Sequence, residues 1–600
     1  MALGPPPVYC DKSQFPGDRR RSTVINHSSL GGQYLPVVAT GPERSRGKTE
    51  MIDSDGLAQA PRRSARSVSK MSIIPAGHSM AAALVATALL GGCAVGPDFT
   101  VPAAPDVDRY SKAPLASRTS SSDVPLGRTQ HFSEGKDVSA KWWELFRSPA
   151  LNSLVEASLR ANPNLQSQLA ALRAAQELAY AQAGKFFPTV QGSFNATRQK
   201  VADNPLGATS LPIGPDANPI NPFNVFTAQV AVAYTLDVWG LTRRNVESQQ
   251  ALADAQRFQA EAAYITLTSN VVVAAIQEAA LRAQIDATVQ IIDINTKMLD
   301  IMRRQLSTGY ANRSDVAVQE ASLAQVKATL PPLRRQLAVQ RDLLSALAGR
   351  FPSQEPAETF KLILFRLPSD LPVSLPSKLV DQRPDVRAAE EQLHSAGALV
   401  GVAIANMLPN FTINGTHGYT SLELANLISP ANVFWTAGAN AAHTIFDGFT
   451  LYHQQRAAQA TFEQAAWTYR TTVIGALQNV ADTLHALRND ADALKAAREF
   501  ERAGKISFDL ARQRMETGDA NVLVLLTAQQ TYLQALIQVV QAQAGRLSDT
   551  AVLYVALGGG WWNREGPPAP EQKFETATAT TQPITSEQKQ GFWPGFPPAR

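Results

Sequence analysis

The chain has 600 residues, 44% of them apolar, with a formal charge of +4. That length suggests several domains, and a charge so small argues neither for nor against nucleic acid. The two cysteines, Cys10 and Cys93, offer no disulfide framework and no C-x-x-C metal knuckle, and no run of 18 apolar residues is present to form a membrane-spanning helix.

Residues 1–50 are rich in Pro, Gly, Ser and Arg and lack hydrophobic periodicity. Met80 to Leu90 is an 11-residue apolar run, the length of a signal-peptide core and too short to span a bilayer. Leu90-Gly91-Gly92-Cys93 follows. Small residues before a cysteine fit a bacterial lipoprotein cleavage site, where the Cys93 thiol is acylated and becomes the mature N-terminus. A buried cysteine after a short core helix is the alternative. Ala94 in place of Asp after the cysteine favours release to the outer membrane. Met51 is the expected start, because it leaves Arg62, Arg63, Arg66 and Lys70 ahead of the apolar core. Met71 or Met80 would leave almost no positive segment there. Residues 1–92 are therefore expected to be removed.

Beyond this leader one unit is written twice. Asn162-Pro163-Asn164 opens a helical stretch that ends at Phe187-Pro188, and Arg383-Pro384-Asp385 opens another that ends at Leu408-Pro409. Both proline pairs are 25 residues apart and act as helix boundary signals. An alternating segment follows each helix. Val190, Gly192, Phe194 and Ala196 share one strand face opposite Gln191, Ser193, Asn195 and Thr197. After a Pro/Asn/Gly-rich loop at 199–222, Phe226, Ala228, Val230, Val232, Tyr234 and Leu236 alternate with small or polar residues. In the second copy Phe411, Ile413 and Gly415 alternate with Thr412, Asn414 and Thr416, and a return strand is expected from Val433 to Phe446 without a defined phase. One apolar and one small polar face suit a transmembrane β-strand; a half-exposed soluble sheet shows the same alternation.

Leu241 to Thr308 is a stretch of 68 residues without Gly or Pro, and Phe449 to Thr517 is 69 residues without Pro, containing Gly475 and Gly504. If helical throughout, each spans about 100 Å at 1.5 Å per residue. Such lengths point to a coiled coil or helical barrel. The return legs, 310–348 and 519–557, are both 39 residues, and Pro331-Pro332 is expected to break or kink the first. The corners match in sequence: Leu306-Ser307-Thr308-Gly309-Tyr310-Ala311-Asn312 parallels Met515-Glu516-Thr517-Gly518-Asp519-Ala520-Asn521. Many Ala, Gln, Asn and Thr residues line these helices, which suits close approach around a water-filled tube.

These features resemble the outer-membrane factor family of tripartite efflux systems, of the TolC and OprM type, and its acylated NodT-type branch. The resemblance runs from Cys93 to Trp562. It is carried by Cys-Ala-Val-Gly-Pro-Asp-Phe at 93–99, Trp142-Trp143-Glu144-Leu145-Phe146, Asp381-Gln382-Arg383-Pro384-Asp385-Val386, Ile445-Phe446-Asp447-Gly448 and Leu557-Gly558-Gly559-Gly560-Trp561. It implies a mainly α fold with transmembrane β: a homotrimer whose twelve-stranded barrel, four strands per chain, continues into a long coiled-coil helical barrel. The expected organisation is a removed leader at 1–92, an acylated segment and start of an equatorial region at 93–147, and a first repeat at 148–350. A linker and equatorial region at 351–380, a second repeat at 381–562 and a disordered tail at 563–600 complete it. The implied function is a passive duct for small molecules. Its implied partners are a periplasmic adaptor, an inner-membrane transporter of the RND type and outer-membrane lipid, not nucleic acid. No cofactor is implied beyond covalent lipid, diacylglycerol and palmitate, on Cys93. A periplasmic coiled-coil scaffold or adaptor lipoprotein, lacking the two hairpins, is the competing reading.

The same resemblance puts a periplasmic gate at the helix corners. Gly309 and Gly518 mark them. Ser314 and Asp315 fall at the first corner, where the Asp joins polar links that hold the tip closed. Leu523 is a candidate for an apolar constriction. Relatives often carry Asp where Val524 or Thr527 stands, so the acidic ring of the pore entrance is missing here; Asp519 is a possible substitute or a solvated corner residue. No catalytic motif appears, and His394, His417, His443, His453 and His485 are scattered without ligand spacing.

Overall fold

Both long stretches expected to be helical are single continuous helices. The computed structural model describes residues 94–112, 114–200, 222–517, 519 and 521–564, all within the unit Gly77–Arg600. The leader with Cys93, residues 201–221 of the loop, Gly518 and the tail from 565 lie outside the described residues. In chain order the described elements are β1 (His131–Glu134), α1 (Pro149–Ala161), α2 (Pro163–Ala183), β2 (Thr189–Gln199), β3 (Phe223–Leu236), α3 (Leu241–Ser307) and α4 (Arg313–Leu347). There follow β4 (Asp370–Val373), α5 (Pro376–Gln382), α6 (Pro384–Ala405), β5 (Asn410–Ser421), β6 (Val433–Ala442), α7 (Thr450–Glu516) and α8 (Val522–Ala556).

Capping chemistry explains where the helices begin. Pro163 and Pro384 occupy first-turn positions of α2 and α6, where a missing N–H costs nothing. The Asn162 side chain accepts from the amides of Asn164 and Leu165. Asp237 accepts from the amides of Thr242 and Arg243 at the start of α3, and Asp447 does the same for Thr450 and Leu451 at the start of α7. α3 and α7 are each 67 residues long, and α4 and α8 each 35. Every boundary in the second pair lies 209 positions after its counterpart: Leu241 to Thr450, Ser307 to Glu516, Arg313 to Val522, Leu347 to Ala556.

Of the two outcomes expected of Pro331 and Pro332, a break is not what occurs: α4 runs through both. Each proline leaves one carbonyl without a helical partner, that of Lys327 or Ala328. Both residues are exposed, so water can take the freed oxygens, while Leu323, Val326 and Leu344 hold the helix down on either side. The main core lies partway along the long helices. Trp142, Trp143 and Phe146 are buried there with Val271, Val272, Ala275 and Ile276 of α3, Val480 and Leu487 of α7, and Leu547 and Tyr554 of α8. β1 pairs with β4 in parallel to form a two-stranded sheet beside this core, an element the sequence pattern does not reveal.

The four longer strands form one antiparallel sheet in the order β2-β3-β5-β6. The two hairpins thus lie side by side, joined through β3 and β5. β6 ends at Ala442, short of the expected Phe446, because its partner begins at Asn410, directly after Pro409, and provides no further pairing.

One carboxyl pair lies between α7 and α8. Asp490 faces Asp549 across the pair; burial first, and then the Asp549 carboxyl, push Asp490 up to about 7, against the pull of Arg546. An unfolded aspartate titrates at about 3.9. Through the window between those values the folded chain keeps a proton that the unfolded chain has lost, so stability falls as pH rises. Asp490→Asn is expected to flatten this fall, read as the difference in thermal unfolding midpoint between about pH 5 and about pH 7. An unchanged difference would count against the pair.

Candidate functional site

The register resolves the sheet into two faces of opposite character. Val190 opposes Val232, Val230 opposes His417, Tyr234 opposes Ile413, and His417 opposes Trp435, so these side chains share one face. Phe194, Leu236, Phe411, Tyr419 and Val433 extend it; His417 lies within it, and Arg198, Asn224 and Ser421 are its polar members at the end away from the helices. The other face carries Gln191, Ser193 and Asn195 of β2, Thr227 and Gln229 of β3, Thr412, Asn414 and Thr416 of β5, and Thr436 and Asn440 of β6. The pairing gives β6 a phase: Val433, Trp435, Ala437 and Ala439 are apolar-side and Thr436, Gly438 and Asn440 polar-side, with Phe434 the large apolar residue on the polar side. Every residue of β2 is exposed, and Trp435 is 73% exposed. Among the described residues no helix covers either face, and the outer edges of β2 and β6 are unpaired.

The segment that follows Cys93 is held at the end of the sheet from which α3 departs. The Val95 amide donates to the Trp239 carbonyl at 3.0 Å. Arg244, 4% exposed, donates to the carbonyls of Val95 and Gly96 and to the carboxylates of Asp98 and Glu247. The backbones touch: a Cβ on Gly240 would stand 2.6 Å from Ala94 Cα, and one on Gly96 would stand 2.4 Å from Gly401 Cα. Both glycines have positive φ, so side-chain size and backbone conformation each select Gly here. His394 stacks on Phe99 at 4.3 Å and bonds Glu247 and Glu391. It is a structural clamp in this cluster.

The two corners come together at the opposite end of the long helices. Met298, Leu299 and Met302 of α3, Val316 and Leu323 of α4, Phe508 of α7, and Val522, Leu525 and Leu526 of α8 form one buried cluster. Buried Gln319 donates to the Asn295 side chain at 3.0 Å, linking α3 and α4. Gly309 turns the first corner at φ 80°. Asp315 is the third residue of α4 in a capping box: Asn312 accepts from its amide at 2.8 Å, while its carboxylate faces the Asn312 amide; Ser314 lies beside it in that exposed first turn. Asp519 accepts from the Thr517 hydroxyl in its own turn. Leu523, 62% exposed, Val524, 53% exposed, and exposed Thr527 share the outward side of the first turns of α8, with the Thr527 hydroxyl bonded to the Leu523 carbonyl. The structure thus groups Leu523, Val524 and Thr527 on one surface, and engages Asp315 and Asp519 in their own turns.

The family model described as outer membrane efflux protein matches residues 154–350 and 375–559. The chain belongs to that family. It is 28% identical to the pyoverdine export outer membrane protein OpmQ of Pseudomonas putida over 70% of this chain and 88% of that protein. It is 25% identical to the toluene efflux pump outer membrane protein TtgC of the same species, over 83% of this chain and 99% of that one. Among solved structures, the outer-membrane channel OprN superposes with a TM-score of 0.69 at 26% identity, covering 78% of this chain and all of OprN. The open-state MtrE channel of Neisseria gonorrhoeae shares the fold with a TM-score of 0.66 at 23% identity, covering 79% of this chain and all of MtrE.

In this outer membrane efflux protein the polar residues that sequence reasoning missed are buried charges in Ala-rich helices. Glu278, fully buried on α3, accepts from Arg282, Arg341 and the Phe360 amide, fastening the 355–365 segment to the helices. Arg546, fully buried on α8, donates to the carbonyls of Leu126 and Arg128 and to the side chains of Thr119 and Gln130. Burial lowers it to about 10, so it remains charged at neutral pH. The only signal for either was a charged residue within a small-residue run. Removing one member of a buried charged network costs about 3–5 kcal/mol. Arg244→Ala is accordingly expected to free the segment from Ala94 onward, giving faster trypsin cleavage at Arg109 with the helical circular dichroism retained. Unchanged cleavage would show that Arg244 does not hold it.

Proposed function

We infer that this protein is the outer-membrane channel of a tripartite efflux pump, a passive conduit carrying small molecules from the periplasm or an inner-membrane pump to the exterior. The observation that carries the reading is the sheet with one apolar face, one polar face and two unpaired edges. Lipid tolerates neither open edges nor unpaired backbone groups. Three copies joined edge to edge give a closed twelve-stranded barrel, with Val190, Phe194 and Trp435 toward lipid and Gln191, Asn414 and Thr416 toward water. Exposed Phe187, Phe446 and Phe449 flank the end of the sheet from which the helices depart, as expected of an aromatic girdle. The paired lengths of 67 and 35 residues and the uniform offset support an internal duplication. The hairpins weigh against a scaffold or adaptor lipoprotein without a barrel.

The long helices of three chains continue the barrel as a periplasmic coiled-coil tube. Exposed apolar side chains on α8, among them Leu523, Val524 and Val552, support its burial against neighbouring subunits. At the tip Leu523 and Val524 form an apolar constriction around the three-fold axis, and the neutral Val524 and Thr527 leave the entrance without an acidic ring. Diacylglycerol and palmitate on Cys93 anchor each chain in the outer membrane; the contact of Ala94 with Gly240, beside the sheet, supports an anchor at that level. A periplasmic adaptor and an RND-type inner-membrane transporter supply docking and energy. Pyoverdine export and toluene efflux are the functions in the names of two relatives, and a passive duct leaves such choices to its partners.

The purified protein is expected to run as a heat-resistant trimer and to conduct ions in planar bilayers; a non-conducting monomer would overturn the channel reading. The mass of the mature N-terminal peptide should carry the lipid on Cys93, and an unmodified cysteine would refute the anchor. Asp315→Ala removes half of the capping box at the first corner, a loss of about 0.5–1 kcal/mol. It is expected to raise single-channel conductance by loosening the closed tip, and an unchanged conductance would remove Asp315 from the gate.

A further inference from the structure

A cleft of about 370 Å³ opens among the Trp142–Phe146 turn, β1, β4 and the last turns of α8, away from the sheet and the helix corners. Arg128, Lys136, Arg147 and Arg366 line it. Backbone bonds draw the lining together. The Arg366 amide donates to the Phe146 carbonyl at 2.9 Å, which brings Arg366 beside Arg147, and the His131 amide donates to the Ser369 carbonyl at 2.7 Å, which sets Arg128 and Thr129 against the same segment. Among the described residues none of these four cationic side chains has an ion-pair partner. Asp137 also lines the cleft, but it is engaged by Trp562, Asn563 and the Val138 amide. Arg147 sits in the left-handed region at φ 51°, a conformation that L side chains rarely adopt.

A second, independent observation comes from Tyr554. Its ring stacks on Trp142 at 5.6 Å, it is 1% exposed, and it lines the same cleft. Its hydroxyl is buried without a hydrogen-bond partner, an arrangement that costs stability unless something supplies an acceptor. Burial first, and then the charge of Asp370, another lining residue, push the phenol above its ordinary value. It therefore stays an O–H donor. Excess positive charge, an unused donor and a volume within the range of small-ligand sites call for an oxygen-rich anion. The planar guanidinium fork matches carboxylate and phosphate oxygens in pairs.

We propose that this cleft binds an oxoanion, a carboxylate or phosphate group of a small ligand, with Tyr554 donating to one oxygen and Arg147 and Arg366 holding the others. Such a ligand ties the segment around β1 to the end of α8 and raises the thermal midpoint of the folded chain. The site is independent of the channel reading.

The full-length detergent-solubilised protein, titrated with inorganic phosphate and with succinate at fixed ionic strength set by sodium chloride, tests the proposal by calorimetry and thermal shift. Saturable binding of at least one probe is expected, with phosphate or succinate preference distinguishing a phosphoryl from a carboxylate ligand. Tyr554→Phe keeps the ring stacking and removes one donor to a charged acceptor, so affinity should fall about tenfold. Arg147→Gln combined with Arg366→Gln changes only exposed side chains and should abolish saturation. Absence of saturable binding up to on the order of 10 mM of either probe overturns the site. Binding undiminished in the double variant overturns it equally, as does an affinity for phosphate or succinate unchanged in Tyr554→Phe.

Discussion

Unpaired backbone at the two outer edges of the four-stranded sheet is the constraint to which the other features answer. A strand edge in hydrocarbon leaves amides and carbonyls without partners, at several kcal/mol each. Four strands of 10–14 residues cannot close on themselves, and their apolar face is bare. Closure with further copies, as proposed above, would meet both demands together: it would pair the edges and turn Val190, Phe194, Ile413 and Trp435 toward lipid. The chain passes from sheet to helix where Asp237 and Asp447 cap α3 and α7, with the segment from Ala94 packed into the first of these junctions.

The long helices face the opposite problem. Alanine, Gln and Thr bury little apolar area per residue, so a pair of 67-residue helices needs fastening along its length. The core around Trp142, Trp143 and Phe146 does this partway along. Buried charges do the rest: Glu278 fastens the segment near Phe360, and Arg546 fastens the segment from Thr119 to Gln130. Each is held by several acceptors or donors, the condition under which a buried charge is tolerated. At the far end the Met298–Leu526 cluster joins all four helices, and local caps shape the two corners.

Most of the architecture was legible in the residues because it is written in local signals. Proline at first-turn positions, the absence of proline through each long helix and glycine at the first corner set boundaries within a few residues of those observed. Strict alternation in Val190–Thr197 and Phe226–Leu236 announced two strands. The return strand from Val433 did not, since its Ala-, Gly- and Asn-rich run has no strong period; only its pairing with β5 assigned Trp435 to one face and Thr436 to the other. Pro331-Pro332 did not interrupt α4 for a related reason. A propensity describes a helix in isolation, whereas α4 is held by packing on both sides of the prolines.

The sequence alone therefore determined the duplicated pattern, the helix and hairpin elements, their approximate ends and the family they resemble, because period and capping act over a few residues. Tertiary structure alone decided the order β2-β3-β5-β6, the β1–β4 pair, the clamps at Arg244, Glu278 and Arg546, and the cleft at Tyr554. Many of these join residues far apart in the chain, such as Gln130 and Arg546, or Asp98 and Arg244. No local period records such a pairing, since it exists only once the long helices have brought distant segments to the same level.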